Sequence, residues 1–302
     1  LGSWLTFGGS VDETESGKII HRAWDLGINF FDTADVYFRG AAETALGKAI
    51  QDLPRREIVI ATKVMGRVWE GPLGAGLSRK HIMDAVEDSL TRLGVDYIDL
   101  YQAHAPDDDT PFEEFLSTFN DLVRQGKVRY LGLSNFSAEQ TLEVMRLCDL
   151  NGWESVVSTQ PPYNLLDRRV EPALIPRCRE EGIGLIVYSP LAQGVLTGKY
   201  RGGKIPKGTR ASTKFSQFMA KWMQPDDLKK VAVLERIAKR KKRTPAQVAL
   251  AWVLRDEVVS SAIIGATSVA QLVENAKATG VKLTAQDLTD LDKAFPRVGD
   301  PF

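Results

Sequence analysis

Four side chains able to hold or exchange a proton follow three short apolar runs of the sequence. Asp32 ends the run INFFD, and Tyr37 comes five residues later. Lys63 ends the run EIVIATK, and His104 ends the stretch DLYQAH. Carboxylate, phenol, ammonium and imidazole groups are the types that general acid–base catalysis uses. If the fold brings these four together, they form a candidate proton-transfer site.

The chemistry of such a site centres on the tyrosine. An isolated phenol has a pKa of about 10 and donates protons poorly at neutral pH. A nearby ammonium favours the phenolate, so we expect Lys63 to lower the pKa of Tyr37. Asp32 would keep Lys63 charged and in place, and His104 would hydrogen-bond the phenol oxygen. No metal-binding spacing such as H-E-x-x-H or C-x-x-C occurs. We therefore predict proton donation to a carbonyl oxygen, which also requires a source of hydride.

Short apolar runs alternate with longer amphipathic stretches along the chain, which predicts parallel strands joined by helices. The predicted strands are 3–8, 28–31, 57–62, 95–101, 128–133, 156–160, 182–188 and 261–265. The predicted helices are 13–26, 41–50, 78–92, 111–125, 137–148, 167–181, 244–255, 268–278 and 284–295. Eight such units in one chain of this length indicate an α/β fold of the (β/α)8 TIM barrel type. A doubly wound sheet is the competitor, but no G-x-G-x-x-G follows the first predicted strand.

Three segments fall outside the alternation and are expected to be functional, because long loops inside a compact domain usually are. Residues 64–77 form a glycine-rich loop, and residues 189–227 form a long basic insertion. The C-terminal tail after about residue 280 is expected to pack over the catalytic face. Active sites of barrels lie at the carboxyl ends of the strands, where Asp32, Lys63 and His104 are predicted.

Composition excludes several functional classes. The chain has 302 residues, and 39 basic residues balance 39 acidic ones, so no net field attracts nucleic acid or an anionic membrane. No run of about 18 apolar residues is present, so we expect no membrane insertion and a cytoplasmic protein. Two lone cysteines, Cys148 and Cys178, predict free thiols.

Two charged runs are assigned to helix termini rather than to binding sites. The basic run KRKKR (239–243) is expected to be a solvated helix end rather than a nucleic-acid patch, because cations favour the C-terminal end of a helix. The acidic run DDD (107–109) precedes TPFEE and is expected to lie before a helix start rather than to bind a cation.

Several motifs, in order, give the chain a resemblance to a known family. They are GINFFDTADVYFRGAAETALGKAI, IATKV, YQAH, VRYLGLSNF, STQPPYN, YSPLAQGVLTGKY and SAIIGATSVAQLVENAKA. Together they resemble the aldo-keto reductases over essentially the whole chain. GSWLTFGG, GLSRKHI and GATSVAQLVEN are similar to the branch that contains potassium-channel β-subunits and their bacterial relatives.

The resemblance implies one barrel domain over residues 1–302, without the N-terminal hairpin with which the family usually begins. It implies that NADPH provides hydride for the reduction of aldehydes, and of some ketones, to alcohols. It also implies roles for the four side chains: Tyr37 is the proton donor, Lys63 and Asp32 tune it, and His104 orients the substrate carbonyl. The expected small-molecule partner is therefore a carbonyl compound.

The resemblance further assigns residues to the cofactor. Those near the nicotinamide are Ser3, Trp4, Asp32, Ser134, Asn135, Gln160 and Tyr188. Those along the pyrophosphate are Ser189, Leu191, Gln193 and Gly194. Those near the 2′-phosphate and adenine are Lys199, Arg210, Gly265, Thr267, Gln271, Glu274 and Asn275.

Some of these residues support NADP binding independently of the resemblance. Ser268 and Gln271 have the spacing of a capping box, so a helix would begin at that point and could receive a phosphate. Lys199 and Arg210 provide the positive charge that a 2′-phosphate requires. This favours NADP over NAD.

A second function, from a different class, stays open. The chain could hold NADPH as a redox-sensing regulatory subunit of a membrane channel with little turnover. Similarity to the channel-subunit branch favours that function, and the branch also implies a homo-oligomer. The complete set of four proton-handling residues favours an enzyme, because the resemblance implies that channel-associated mammalian members of the branch lack the histidine that His104 provides.

Overall fold

The chain alternates parallel strands with helices, as described here for residues 1–297 of a computed structural model. The strands within these residues are β1 (Phe30–Asp32), β2 (Val59–Val64), β3 (Ile98–Ala103), β4 (Val128–Ser134), β5 (Val156–Gln160), β6 (Gly184–Val187) and β7 (Val259–Ala262). The α-helices are α1 (Glu13–Asp25), α2 (Ala41–Ile50), α3 (Arg79–Leu93), α4 (Phe112–Arg124), α5 (Ala138–Asn151), α6 (Leu174–Glu181), α7 (Pro225–Lys241), α8 (Pro245–Val253), α9 (Val269–Ala276) and α10 (Ala285–Ala294).

The chain divides into two compact units. The first comprises residues 1–160, 180–184 and 265–273. It holds β1 to β5, which pair in parallel in chain order, with Asp32 opposite Ala61, Lys63 opposite Gln102 and Ser134 opposite Gln160.

The second unit comprises, of the described residues, 161–179, 185–264 and 274–297. In it β6 pairs in parallel with β7, with Leu185 opposite Val259. Parallel strands alternating with helices confirm the predicted α/β fold class of the (β/α)8 type, and seven of the eight predicted strands form within the described residues. That residues 1–302 form a single domain stays a prediction.

The first predicted strand, residues 3–8, is wrong. The backbone N–H groups of Thr6 and Phe7 both donate to the carbonyl of Ser3, so the chain turns there instead of extending. Leu5 has a positive φ of 59°, which belongs to a turn. The segment contributes no strand to the sheet within residues 1–297, and Phe7 forms only an isolated bridge to Val11.

Two helices differ from their predicted extents. α6 begins at Leu174 rather than at 167, because Asn164 and Asp167 exchange backbone hydrogen bonds in a tight turn. α7 overlaps only the end of the basic insertion, the rest of which contains short 3-10 turns. A helix end was expected at KRKKR, but no range was predicted for the helix itself. Its start carries recognisable signals, since Pro225 is the first helical residue and two acids follow in the first turn.

Two smaller expectations, on the basic run and on the cysteines, are confirmed. The run KRKKR lies at the C-terminal end of α7, with three basic residues in its last turn. Cys148 and Cys178 are free and buried. No helix within residues 1–297 combines the length and apolarity needed to cross a bilayer.

The C-terminal tail is only partly described. α10 is held to the second unit by Arg168, which donates to the carboxylate of Asp292 and to the carbonyl of Phe295. The end of the tail, 298–302, lies outside the described residues, and packing of the tail over the catalytic face stays a prediction.

Candidate active site

Asp32 and Lys63 form a buried ion pair at the ends of β1 and β2. The ammonium Nζ of Lys63 lies 2.7 Å from Oδ1 of Asp32 and 2.8 Å from the carbonyl oxygen of Thr33. Lys63 is fully buried and Asp32 nearly so, at 3% exposure. Two of the three ammonium donors are therefore committed, and the third remains for a group in the loop after β1.

Tyr37 lies in that loop and faces the ammonium. The turn that carries it is closed by a hydrogen bond from the N–H of Tyr37 to the carbonyl of Ala34. The phenol oxygen is 3.5 Å from Nζ of Lys63, at the outer limit of a hydrogen bond. The ring of His104 stands edge-on to the ring of Tyr37, with centroids 5.7 Å apart. The fold thus brings the four predicted side chains into one cluster.

Burial decides the protonation of the tyrosine. Burial, followed by the carboxylates of Asp32 and Asp35, raises the pKa of Tyr37 well above its usual value. The expectation of a lowered pKa is wrong, because desolvation of a phenolate outweighs the nearby ammonium. Tyr37 is a protonated phenol across the neutral range, which is the state a proton donor needs.

Burial also acts on the two basic groups. It lowers the pKa of Lys63, and the carboxylate of Asp32 opposes that shift. Burial and the Lys63 ammonium lower the pKa of His104 to about 3, so its imidazole is neutral at physiological pH. A neutral imidazole beside the phenol can donate a hydrogen bond to a carbonyl oxygen without carrying charge.

Gln102 is a member of the cluster that the sequence did not reveal. Its side chain is fully buried and lies 3.4 Å from Oδ2 of Asp32. The amide of Gln160 donates to the same carboxylate oxygen at 2.9 Å and to the side-chain oxygen of Gln102 at 3.1 Å. The alternation of side chains along β3 could have revealed it, because residues 102 and 104 project from the same side of an extended chain.

Three residues predicted near the nicotinamide join this network in the first unit. The Ser134 hydroxyl donates to the carbonyl of Gln160 at 2.9 Å. The Asn135 amide donates to the Ser134 hydroxyl at 3.1 Å and to the carbonyl of His104 at 2.9 Å. Asn135 has a φ of 61°, a conformation that asparagine tolerates better than most residues.

The N-terminal residues predicted for the same pocket lie close by. The Ser3 hydroxyl is buried and donates to the Thr33 hydroxyl at 2.8 Å, and its backbone N–H donates to the carbonyl of Asp32. Trp4 follows directly and is half-buried. Their contact with a cofactor stays a prediction.

The predicted pyrophosphate segment belongs to the second unit and has an unusual backbone. Ser189, Gln193 and Gly194 all have positive φ, at 53°, 58° and 96°. Successive turns of this kind point backbone N–H groups toward one concave surface that suits an anion. The side-chain oxygen of Gln193 is buried and has no hydrogen-bond partner within residues 1–297. Leu191 lies within this segment, and Tyr188 directly precedes it. The N–H of Tyr188 donates to the carbonyl of Pro161.

Two cations predicted for the 2′-phosphate lie near one another in the second unit. Burial and the neighbouring Arg210 lower the pKa of Lys199, and burial lowers the pKa of Arg210. A Cβ at Gly194 would come within 3.0 Å of the Lys199 ammonium, so the lysine lies directly over the glycine. No carboxylate within residues 1–297 forms an ion pair with Lys199. Lys199 is exposed and Arg210 is half-buried, and two neighbouring cations that repel each other suit a phosphate ligand.

The predicted adenine residues lie on α9 and before it. The Ser268 hydroxyl accepts from the N–H of Gln271, which confirms the N-cap, whereas the Gln271 side chain accepts from Thr267 and not from Ser268. Gly265 precedes this turn. The carbonyl of Glu274 accepts from Gln247 at 2.8 Å, and Asn275 is buried.

Comparison with known proteins identifies the family. Residues 1–295 match the sequence model of the aldo/keto reductase family. A Schizosaccharomyces pombe protein named "Putative voltage-gated potassium channel subunit beta" is 42% identical over 303 residues, which cover 97% of this chain and 88% of that protein. An Arabidopsis thaliana protein named "Probable voltage-gated potassium channel subunit beta" is 42% identical over 287 residues, covering 93% and 87%. An Escherichia coli protein named "L-glyceraldehyde 3-phosphate reductase" is 36% identical over 305 residues, covering 97% and 87%.

The chain therefore belongs to the aldo/keto reductase family, a family of oxidoreductases that generally use NAD(P)H. This confirms the resemblance drawn from the motifs, including the similarity to channel β-subunits. The individual roles of the site residues stay predictions.

Proposed function

We propose that this protein is an NADPH-dependent reductase that converts aldehydes, and some ketones, to alcohols, with Tyr37 as the proton donor. The observation that carries the proposal is the buried Lys63 ammonium. It is bonded to Asp32 and Thr33, and its remaining direction faces the Tyr37 oxygen.

The proposed proton transfer follows from the charges of these groups. When bound, NADPH would supply the hydride to the carbonyl carbon. As negative charge develops on the carbonyl oxygen, Tyr37 donates its phenol proton to it, and the O–H bond of the tyrosine breaks. Lys63 then stabilises the phenolate, since an ammonium within a few ångströms favours that form. Neutral His104 orients the carbonyl by donating a hydrogen bond.

The residues of each unit fit the parts of the cofactor proposed for them. In the first unit, Ser134, Asn135 and Gln160 present the amide and hydroxyl groups that a carboxamide can pair with. In the second unit, the Gln193 oxygen, which is buried without a partner among the described residues, and the cations Lys199 and Arg210 suit a phosphorylated nucleotide. The two cations favour NADPH over NADH.

The test is turnover on a panel of carbonyl compounds, followed by the loss of NADPH absorbance and by the alcohol formed. The panel includes para-nitrobenzaldehyde as a reactive probe and L-glyceraldehyde 3-phosphate, the compound in the name of the E. coli relative. One alcohol per NADPH consumed supports the proposal.

The names of the yeast and plant relatives favour a second candidate, a regulatory subunit of a membrane channel. Tight NADPH binding without turnover of any panel member would contradict the reductase and support that candidate. A homo-oligomer, implied by the same branch, also stays a prediction.

A further inference from the structure

A loop of the first unit that carries no assigned role lies directly after Lys63. We call residues 65–77 the β2 loop. It closes on itself, because the N–H of Gly76 donates to the carbonyl of Met65 at 2.8 Å and the N–H of Val68 donates to the carbonyl of Gly74 at 3.0 Å. These bonds give the loop a defined shape of its own.

His81, on α3, is the first anchor of the β2 loop. Its fully buried ring contacts the carbonyl of Leu73 through Nδ1 at 2.9 Å. The same ring packs against the indole of Trp69, with centroids 4.8 Å apart and the planes tilted by 46°. Nε2 is buried without a partner within residues 1–297. Because a carbonyl only accepts, Nδ1 carries a proton. Burial lowers the pKa of His81 and so favours the neutral ring.

Asp107, in the loop after β3, is the second anchor. One carboxylate oxygen accepts from the N–H of Leu77 at 2.6 Å and from the hydroxyl of Thr110 at 2.8 Å. The other accepts from the N–H of Asp109 at 3.1 Å. The carboxylate therefore bonds the end of the β2 loop, a role that the sequence interpretation of the DDD run did not include.

The β2 loop packs against the segment that carries Tyr37. A Cβ at Gly66 would fall 2.7 Å from the Cβ of Val36, so only glycine allows the two backbones to approach this closely. Val36 directly precedes Tyr37 in the chain. The position of the loop is therefore coupled to the position of the predicted proton donor.

We propose that His81 and Asp107 are positioning residues that hold the β2 loop as a fixed wall beside Tyr37, and that this wall limits the size of the carbonyl substrate. The inference rests on the proposed reductase function. A loop that is closed on itself and anchored at two points excludes a bulky aldehyde, whereas a loosened loop admits one. The anchors act through the loop and not on the reacting atoms.

Two pairs of variants test the anchors. His81→Leu keeps an apolar group of similar size but removes the bond to Leu73, and His81→Asn restores an N–H donor. Asp107→Ala removes the second anchor, and Asp108→Ala removes the exposed neighbouring acid as a control. Each variant is measured by hydrogen exchange of the β2 loop and by the ratio of kcat/KM for benzaldehyde to that for naphthaldehyde.

We expect His81→Leu and Asp107→Ala to speed exchange in the loop about tenfold, the effect of losing roughly one hydrogen bond. The selectivity ratio should fall several-fold in both, through a lower KM for naphthaldehyde. His81→Asn and Asp108→Ala should resemble the wild type. Unchanged exchange, or faster exchange with an unchanged ratio, would overturn the inference. If the wild type reduces neither aldehyde, the proposed function fails instead, and exchange alone then decides whether the anchors hold the loop.

Discussion

The ammonium of Lys63 lies 2.7 Å from the carboxylate of Asp32, with both side chains buried at the ends of neighbouring parallel strands. Each charge has lost most of its water, so each depends on the other for its stability. The pair is also the part of the molecule that faces Tyr37. The structural role of the pair and its proposed chemical role therefore fall on the same two residues.

Replacing one partner of this pair should be costly. Lys63→Met leaves the Asp32 carboxylate buried without its counter-ion, and removal of one such partner costs about 3–5 kcal/mol. We expect a matching loss in the free energy of unfolding, measured in urea. The double variant Asp32→Asn/Lys63→Met removes both charges and should recover part of the loss. A double variant no more stable than Lys63→Met would contradict this view of the pair.

His104 should make stability depend on pH. Its folded-state pKa is about 3, below the ordinary value of about 6.5, so the unfolded chain binds the proton more readily. Stability is therefore complete above about pH 6.5 and falls as the pH drops from 6.5 toward 3. His104→Asn should flatten this dependence in urea unfolding measured over that range. A residual slope is expected from His81, because burial also lowers its pKa. An equal slope in wild type and variant would contradict the prediction.

Two arginines each pair with a glutamate three residues away, one pair buried and the other exposed. Arg168 bonds Glu171 through two nitrogens with both side chains buried, and Arg146 bonds Glu143 in the same spacing at the surface. Arg168→Met removes this two-nitrogen contact and the bonds to Asp292 and the Phe295 carbonyl, while Arg255 and Arg297 still pair with the Glu171 carboxylate. The free energy of unfolding should fall by at least about 1.5–3 kcal/mol, the contribution of a hydrogen bond to a charged group. Arg146→Met should leave the midpoint of thermal unfolding unchanged, because exposed pairs contribute little. Similar effects of the two substitutions would contradict the role assigned to burial.

The cofactor preference should depend on two cations. Arg210→Ala and Lys199→Ala each remove a charged donor proposed for the 2′-phosphate, a contact that contributes about 1.5–3 kcal/mol. The Kd for NADPH should rise about tenfold or more. The Kd for NADH, which lacks that phosphate, should change little. Fluorescence titration of both cofactors checks this, and equal losses for the two would contradict a 2′-phosphate contact.

The sequence predicted that the residues of the candidate site lie close together, but it could not predict the pKa of Tyr37. Asp32 and Lys63 end apolar runs, and the ends of parallel strands meet at one face, so their proximity follows from alternation alone. The pKa of Tyr37 depends on how completely water is excluded, which no spacing of residues reports. Gln102 was missed because a glutamine inside an apolar run has no motif of its own.

Two parts of the fold, residues 3–8 and α7, were not predicted correctly. Residues 3–8 have the composition of a strand, but the Ser3 carbonyl accepts two successive N–H groups and turns the chain. Only the C-terminal end of α7 was expected, at KRKKR, although Pro225 and the acids after it are ordinary signals of a helix start.

The central claim is that the Tyr37 phenol donates the proton in carbonyl reduction, and Tyr37→Phe tests it most directly. The variant removes one oxygen and keeps the ring that packs beside His104. Turnover of para-nitrobenzaldehyde and the Kd for NADPH are measured on both proteins. We predict that kcat falls at least about a hundredfold, the usual contribution of a general acid, while the Kd stays unchanged. A variant that turns over at the wild-type rate would contradict the assignment of Tyr37 as the proton donor.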